Sequence, residues 1–428
     1  MINPDRNQQP AIYPVDKINF LEPDKHQLSN GSSVYLMHGG EQEIVKLDFL
    51  FRAGSWYDKR KLDSVMAASM QHEGTSSRTA AQLADTFDFY GAQFNVSPYY
   101  DNSYVSFLCL EKHLPTLLPV VSDIFRDSVF PENEFEILRQ KRKQKALVDS
   151  KTVGITAQRT FLRKVLGKEH PYAPIESFDI YDQVTRDHAF EFYRNHYTSE
   201  RMNILASGHV DNVTLEILEQ SFGTPWGGSV TDDVPDISNL KIPAPEKVNV
   251  HKKGASQNAI AIGRLMPTLS HPDYPALKVL VTLLGGFYGS RLMKNLREDK
   301  GYTYSVHASS IPFLHQGIFL IFSEVGAEAS DDAVKQVYYE MQRLQNEPVP
   351  EDELEMVRSY MMGRVLREFD GPFAMVQSFE TIHEFGLTYG YYERLIETIR
   401  SITPDKIQAL AQQYFSPETM TQVIAGKV

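Results

Sequence analysis

Cysteine is almost absent. Cys109 stands alone in 428 residues, which excludes an internal disulfide framework. It falls in the alternating run Val105, Phe107, Cys109, the pattern of a buried strand face on which a thiol serves as packing. Basic charge is in deficit as well, with 43 Lys and Arg against 55 Asp and Glu and a net charge of −12. Such a chain repels a polyphosphate backbone, and no stretch collects its cations into a long face, so nucleic acid is not an expected partner. The densest basic run, RQKRKQK from Arg139 to Lys145, follows acidic residues and reads as the solvated side of one helix. Long apolar runs are missing too. The best of them, ALKVLVTLLGGFYG, contains Lys278 and is broken by Gly285 and Gly286, so it is too short and too interrupted to cross a bilayer. The first twenty residues, MINPDRNQQPAIYPVDKINF, hold charges and prolines where an export signal needs an apolar core. These absences predict no membrane association and a cytoplasmic location, with the periplasm as the alternative because a processed export form would look much the same.

What is present is an ordinary globular composition, 42% hydrophobic and 23% charged, in a chain long enough for two or three domains. Internal similarity organises it. TRDHAFEFYRNHYTSERMNILASGHV, starting at Thr185, aligns without a gap on TPDKIQALAQQYFSPETMTQVIAGKV, starting at Thr403. PENEFEILRQKRKQKAL at Pro131 likewise matches PEDELEMVRSYMMGRVL at Pro350. The offsets are 218 and 219 residues, and one duplication explains both. Between the halves, the segment from Pro225 to Lys247 is rich in Pro, Gly, Ser and Asp and has no helical or strand period, as a linker would. The expected division is therefore residues 1–227, a linker at 228–246, and a homologous domain at 247–428. Strand groups close enough for hairpins alternate with helical stretches, which predicts an α+β fold in which each domain is an antiparallel-dominated sheet with helices on one face.

Several motifs carry a family likeness in this order: LSNGSSVYLMHGG at Leu28, FRAGSWYD at Phe51, EGTSSRTAAQLADTFDFYGAQFNVS at Glu73, KEHPYAP at Lys168, HYTSERMNILASGHVD at His196, and GGFYGSRLMKNLREDKGYTYSVHASS at Gly285. Together they resemble the insulinase/pitrilysin type of metallopeptidase (the inverzincins), closest to its short branch of mitochondrial-processing-peptidase-like proteins. The resemblance covers nearly the whole chain and implies a clam-shell half of two domains.

Active members of that family carry His-x-x-Glu-His on the helix before the Gly-Thr turn. Two His at i and i+4 share a helical face and ligate Zn²⁺, and the intervening Glu is base to the metal-bound water. Counted back from Gly74-Thr75, these positions are Val65, Ala68 and Ser69. The third ligand, a Glu on a later helix, falls near Ala146, and no Glu occurs between Ile137 and Lys168. Neither His72-Glu73 nor Glu169-His170 can be slipped into register, because Ser76 and Leu166 stand where the remaining His is needed. The resemblance thus implies a chain with no cofactor of its own. GAQFNVS (Gly91 to Ser97) resembles the edge strand on which active members hold extended peptide.

The second half keeps what the first has lost. In the family an Arg and a Tyr seven residues later contact the substrate backbone, and LREDKGYTY supplies them as Arg297 and Tyr304, with Gly301 between to stop the helix. A guanidinium or phenol placed where charge grows on an attacked carbonyl oxygen stabilises the transition state more than the ground state. Tyr302 is the rival for the phenol. The expected function is the zinc-free subunit of a heteromeric zinc peptidase, supplying Arg297 and Tyr304 to a homologous partner that holds Zn. Peptides would be the substrates, and homodimerisation is the alternative assembly where that partner is absent. A non-catalytic scaffold or peptide-binding homologue is the competing expectation. A different nucleophile has no support, since no Ser/His/Asp signature appears.

Overall fold

The computed structural model describes residues 18–228 and 234–428. The segment read as lacking an export signal therefore lies almost wholly outside the described residues, as does part of the linker. The rest of that linker contains no helix or strand before Lys247.

Two sheets carry the fold. The first is built from β1 (Asp24–Gln27), β2 (Ser33–His38), β3 (Ile44–Phe51), β4 (Gln93–Pro98), β5 (Ser103–Leu110) and β6 (Met202–Gly208), in the order β1-β2-β6-β3-β5-β4. The second is built from β7 (Lys247–His251), β8 (Gln257–Met266), β9 (Val306–Pro312), β10 (Gly317–Gly326) and β11 (Thr421–Gly426), in the order β7-β11-β8-β10-β9. Apart from β1 the two orders are the same. Each has a single parallel pair, β2 with β6 and β7 with β11, and is otherwise antiparallel. Alternation on β5 puts Val105, Phe107 and Cys109 inward, and burial pushes the Cys109 thiol up to about 12, which leaves it an uncharged packing group as expected.

One face of each sheet is covered by helices of its own half. Against the first lie Asp63–Met70, Leu114–Asp127, Arg186–His196 and Asn212–Phe222, which share a core with Phe49, Phe51 and Phe107. The corresponding core of the second sheet joins Ile260, Ile262 and Phe319 to the helices at residues 274–281, 330–346, 351–368, 390–401 and 404–414. The opposite faces are covered by exchange. Helix Val153–Leu166 of the first half lies on the second sheet, where Ala157, Phe161 and Val165 meet Ala259, Ala261, Leu320 and Val423. Helix Pro372–Glu384 of the second half lies on the first sheet, where Val376 meets Tyr35, Met37, Leu50 and Leu205. The two crossing helices begin 219 residues apart, so the exchange obeys the same repeat as the sequence. The expected helices on one face are there, and the second face is not left to water because its residues are apolar. Gly263 makes room for one of these contacts: a Cβ there would stand 1.9 Å from the Phe319 carbonyl oxygen and 2.9 Å from the Phe161 ring.

Candidate functional site

The helix Asp63–Met70 starts sharply. Leu62 adopts a left-handed backbone, φ 82°, and the Asp58 carboxyl accepts from the Leu62 N–H at 3.1 Å and the Ser64 N–H at 2.7 Å. Burial raises that carboxyl to about 7 in spite of these donors. Ala68 and Ser69 are buried, and Val65 is half-buried. The Ser69 hydroxyl donates to the Val65 carbonyl at 2.8 Å, a back-bond that ties it to its own helix.

The next element supplies what sequence reasoning missed. Helix Glu132–Asp149 packs on this face with Ala146 against the core, and Arg142, one turn before Ala146, donates from Nη2 to Ser69 Oγ. Burial draws the Arg142 pKa below its usual value, yet a guanidinium stays charged under ordinary conditions. A fixed cation thus lies on the face where the family carries a metal ion. The basic run is accordingly not a simple solvated face: Lys141 and Lys145 are exposed, while Arg142 turns inward and Arg139 reaches the Tyr181 carbonyl at 3.2 Å. No sequence signal separates Arg142 from its neighbours except its distance of one turn from Ala146. Among the described residues, no group of three or more His, Cys, Asp or Glu is placed to hold a metal ion. His72 and Glu73 form only a 3.9 Å contact, and burial lowers the His72 pKa. The residues at the expected ligand positions do not fit zinc, since an alkyl group, a methyl and a hydroxyl already engaged by a cation replace its donors.

In the second half, Arg297 lies in the last turn of a widened helical stretch, Met293–Asp299. Gly301 at φ +62° turns the chain, and the Tyr302 N–H bonds back to the Leu296 carbonyl at 2.9 Å. This turn brings Arg297 and Tyr304 together, with the guanidinium carbon 4.9 Å from the Tyr304 ring centroid. The same carbon lies 4.7 Å from the ring centroid of Tyr288, which the motif reading did not single out although it belongs to GGFYGSR. Two rings attract the guanidinium by cation–π contact, and its N–H fork makes no carboxylate ion pair among the described residues. Tyr304 is 85% exposed. Tyr302 is occupied, since its hydroxyl donates to Asp332 at 2.9 Å. Of the two tyrosines, Tyr304 is the one placed beside Arg297.

The face occupied by Val65 and Ser69 has a counterpart in the second half. There Thr282 donates to the Lys278 carbonyl at 2.7 Å, and both residues line a cavity of about 800 Å³ beside the edge strand β9. Among the described residues its lining, too, holds no group of three or more His, Cys, Asp or Glu placed to bind a metal ion.

Two domains of one topology carry this ligand face, which among the described residues gathers no metal-ligand group, and a half-buried Arg297 beside an exposed Tyr304. Two family models match in tandem, Insulinase (Peptidase family M16) at residues 34–161 and Peptidase M16 inactive domain at residues 183–361. This chain belongs to the insulinase, or M16 peptidase, family. Among curated relatives it is 20% identical to the uncharacterized zinc protease YmxG of Bacillus subtilis, covering 94% of this chain and 98% of that one. It is 22% identical to an uncharacterized zinc protease of Rickettsia felis, with 93% and 96% covered. Its fold is shared by a crystal structure titled peptidase M16 inactive domain from Pseudomonas fluorescens, TM-score 0.85 at 20% identity, covering 95% of this chain and 99% of that one. A chain of Complex III2 from Candida albicans has the same fold, TM-score 0.77 at 14% identity, with 94% and 96% covered.

Proposed function

We propose that this chain is the zinc-free subunit of a heteromeric M16 metallopeptidase and lends Arg297 and Tyr304 to the active site of a homologous, zinc-bearing partner. The observation that carries the reading is an asymmetry. The half-buried guanidinium of Arg297 lies against the exposed rings of Tyr288 and Tyr304 without an ion-pair partner among the described residues, while the ligand face of the first domain is filled by Ala68, Ser69 and Arg142. The first group retains transition-state chemistry, and the second cannot activate water. When a partner's metal-bound water adds to a peptide carbonyl, the Arg297 fork and the Tyr304 hydroxyl would donate to the developing oxyanion.

The chain alone should bind no stoichiometric zinc and cleave no peptide, and mixing it with a zinc-bearing homologue should produce cleavage. In that mixture Arg297→Ala or Tyr304→Phe should lower kcat by roughly 10²-fold, the scale for one lost oxyanion donor. Undiminished cleavage with both substitutions would end the assignment. A second reading, a non-catalytic scaffold or peptide-binding subunit, draws support from the Arg142 cation seated on the ligand face. On that reading the assembly forms without peptidase activity and the same two substitutions are silent.

A further inference from the structure

Along the seam where helix Val153–Leu166 lies on the second sheet, two clefts meet. The deeper has a volume of about 610 Å³ and is walled by Arg159, Arg163 and Lys164 of the helix, Lys168 beyond it, and Lys252 from the opposite half. The shallower, about 410 Å³, shares Ser150 and Lys252 with the first and adds Lys151 and Lys253. Among the described residues, the carboxylates lining these clefts are Glu176 and Glu246. They are already engaged, Glu176 with Arg163 at 3.0 Å and Glu246 with Lys164 at 3.0 Å.

Of the other cations, Arg159, Lys252, Lys151 and Lys253 make no ion pair among the described residues. Arg159 donates to the Ile175 carbonyl at 2.7 Å and lies over the Phe178 ring at 5.0 Å. Lys252 donates to the Ser150 carbonyl at 2.7 Å. Lys168 touches only the exposed Glu169, at 3.7 Å. Gathering cations from both halves around one concavity carries a local cation–cation repulsion that a bound anion relieves. Arg159 is also partly desolvated, which strengthens what its free N–H groups can offer an anion. The size suits a small ligand rather than a surface, because pockets of roughly 300–1,000 Å³ enclose compact molecules.

We propose that this interdomain seam is a binding site for a compact oligophosphate, held by Arg159 and Lys252 in the deeper cleft and by Lys151 and Lys253 beside it. Oligophosphates carry several charges on a short chain, and their oxygens match both the guanidinium fork and the point charges of lysine. Because the ligand touches both halves of the chain, binding also ties them together.

The test is isothermal titration of the full chain, without any partner subunit, with inorganic tripolyphosphate at low ionic strength. Saturable one-to-one binding is expected, and Arg159→Gln or Lys252→Gln should each weaken it by about tenfold. The double variant Lys151→Gln/Lys253→Gln removes two exposed charges that make no internal bond and should weaken binding several-fold with an unchanged circular dichroism spectrum. Lys112→Gln, outside both clefts, should leave it unchanged. Absence of saturable binding, or equal loss with Lys112→Gln, would overturn the proposal. Sedimentation with phosphatidylserine vesicles separates a free oligophosphate from a lipid headgroup: capture by vesicles without tripolyphosphate binding would overturn it as well.

Discussion

Arg142 shows how one side chain decides the character of a helix face. Restoring donors alone, by Val65→His, Ala68→Glu, Ser69→His and Ala146→Glu, should give a chain that still binds no stoichiometric zinc, because a neighbouring guanidinium repels a divalent cation and competes for its carboxylates. Adding Arg142→Leu should raise the zinc content measured by atomic absorption. Equal zinc with and without that fifth change would refute the repulsion argument. Tyr288 can be judged in the same way. Tyr288→Ala leaves the Arg297 and Tyr304 side chains in place but removes one of the two rings against the guanidinium, so in the complemented peptidase it should cost less than Arg297→Ala, on the order of tenfold in kcat/KM. The Arg297/Tyr304 spacing was legible because a seven-residue separation across a helix-stopping glycine survives in the letters. Arg142 was not, because in RQKRKQK every residue is polar and periodicity separates faces only when polar and apolar residues alternate.

At the level of elements, the crossing helices are the least legible feature. Val153–Leu166 has the apolar spacing of an ordinary amphipathic helix, and nothing in that pattern says which sheet it covers. The strand groups, by contrast, were readable, since β5 alternates and the repeat fixes the order of the second sheet from the first. Phe161 is fully buried between its helix and the second sheet. Phe161→Ala should therefore lower the unfolding free energy by about 3–5 kcal/mol, read as a shift of the urea midpoint. A change below 1 kcal/mol would mean that the helix does not bear on that sheet.

The whole molecule is held where helix Pro372–Glu384 meets the first sheet through a cluster of acids. Tyr104 and Asn102 donate to the Glu384 carboxyl, and nearby Lys46 pairs with the buried Asp48 at 2.6 Å. Burial, helped by the Glu384 and Asp48 charges, raises Glu380 to about 8, and burial raises Glu384 as well. A carboxyl whose folded pKa exceeds its unfolded value near 4.5 favours the fold while protonated. Its contribution is full below pH about 4.5 and is lost as pH rises through about 8. Glu380→Gln should thus gain stability over the parent at pH 9 and lose that advantage at pH 4, in urea titrations at both. A constant difference across this range would show that Glu380 does not titrate in the folded molecule.

The mutual loan of helices carries one more implication. Each half, made separately, would present a bare apolar sheet to water and should precipitate or pair with a copy of itself. Cut between residues 234 and 246, where no helix or strand is interrupted, the two fragments should recombine into a native-like particle when produced in one cell. A gene for such a protein could be split in two without losing its product.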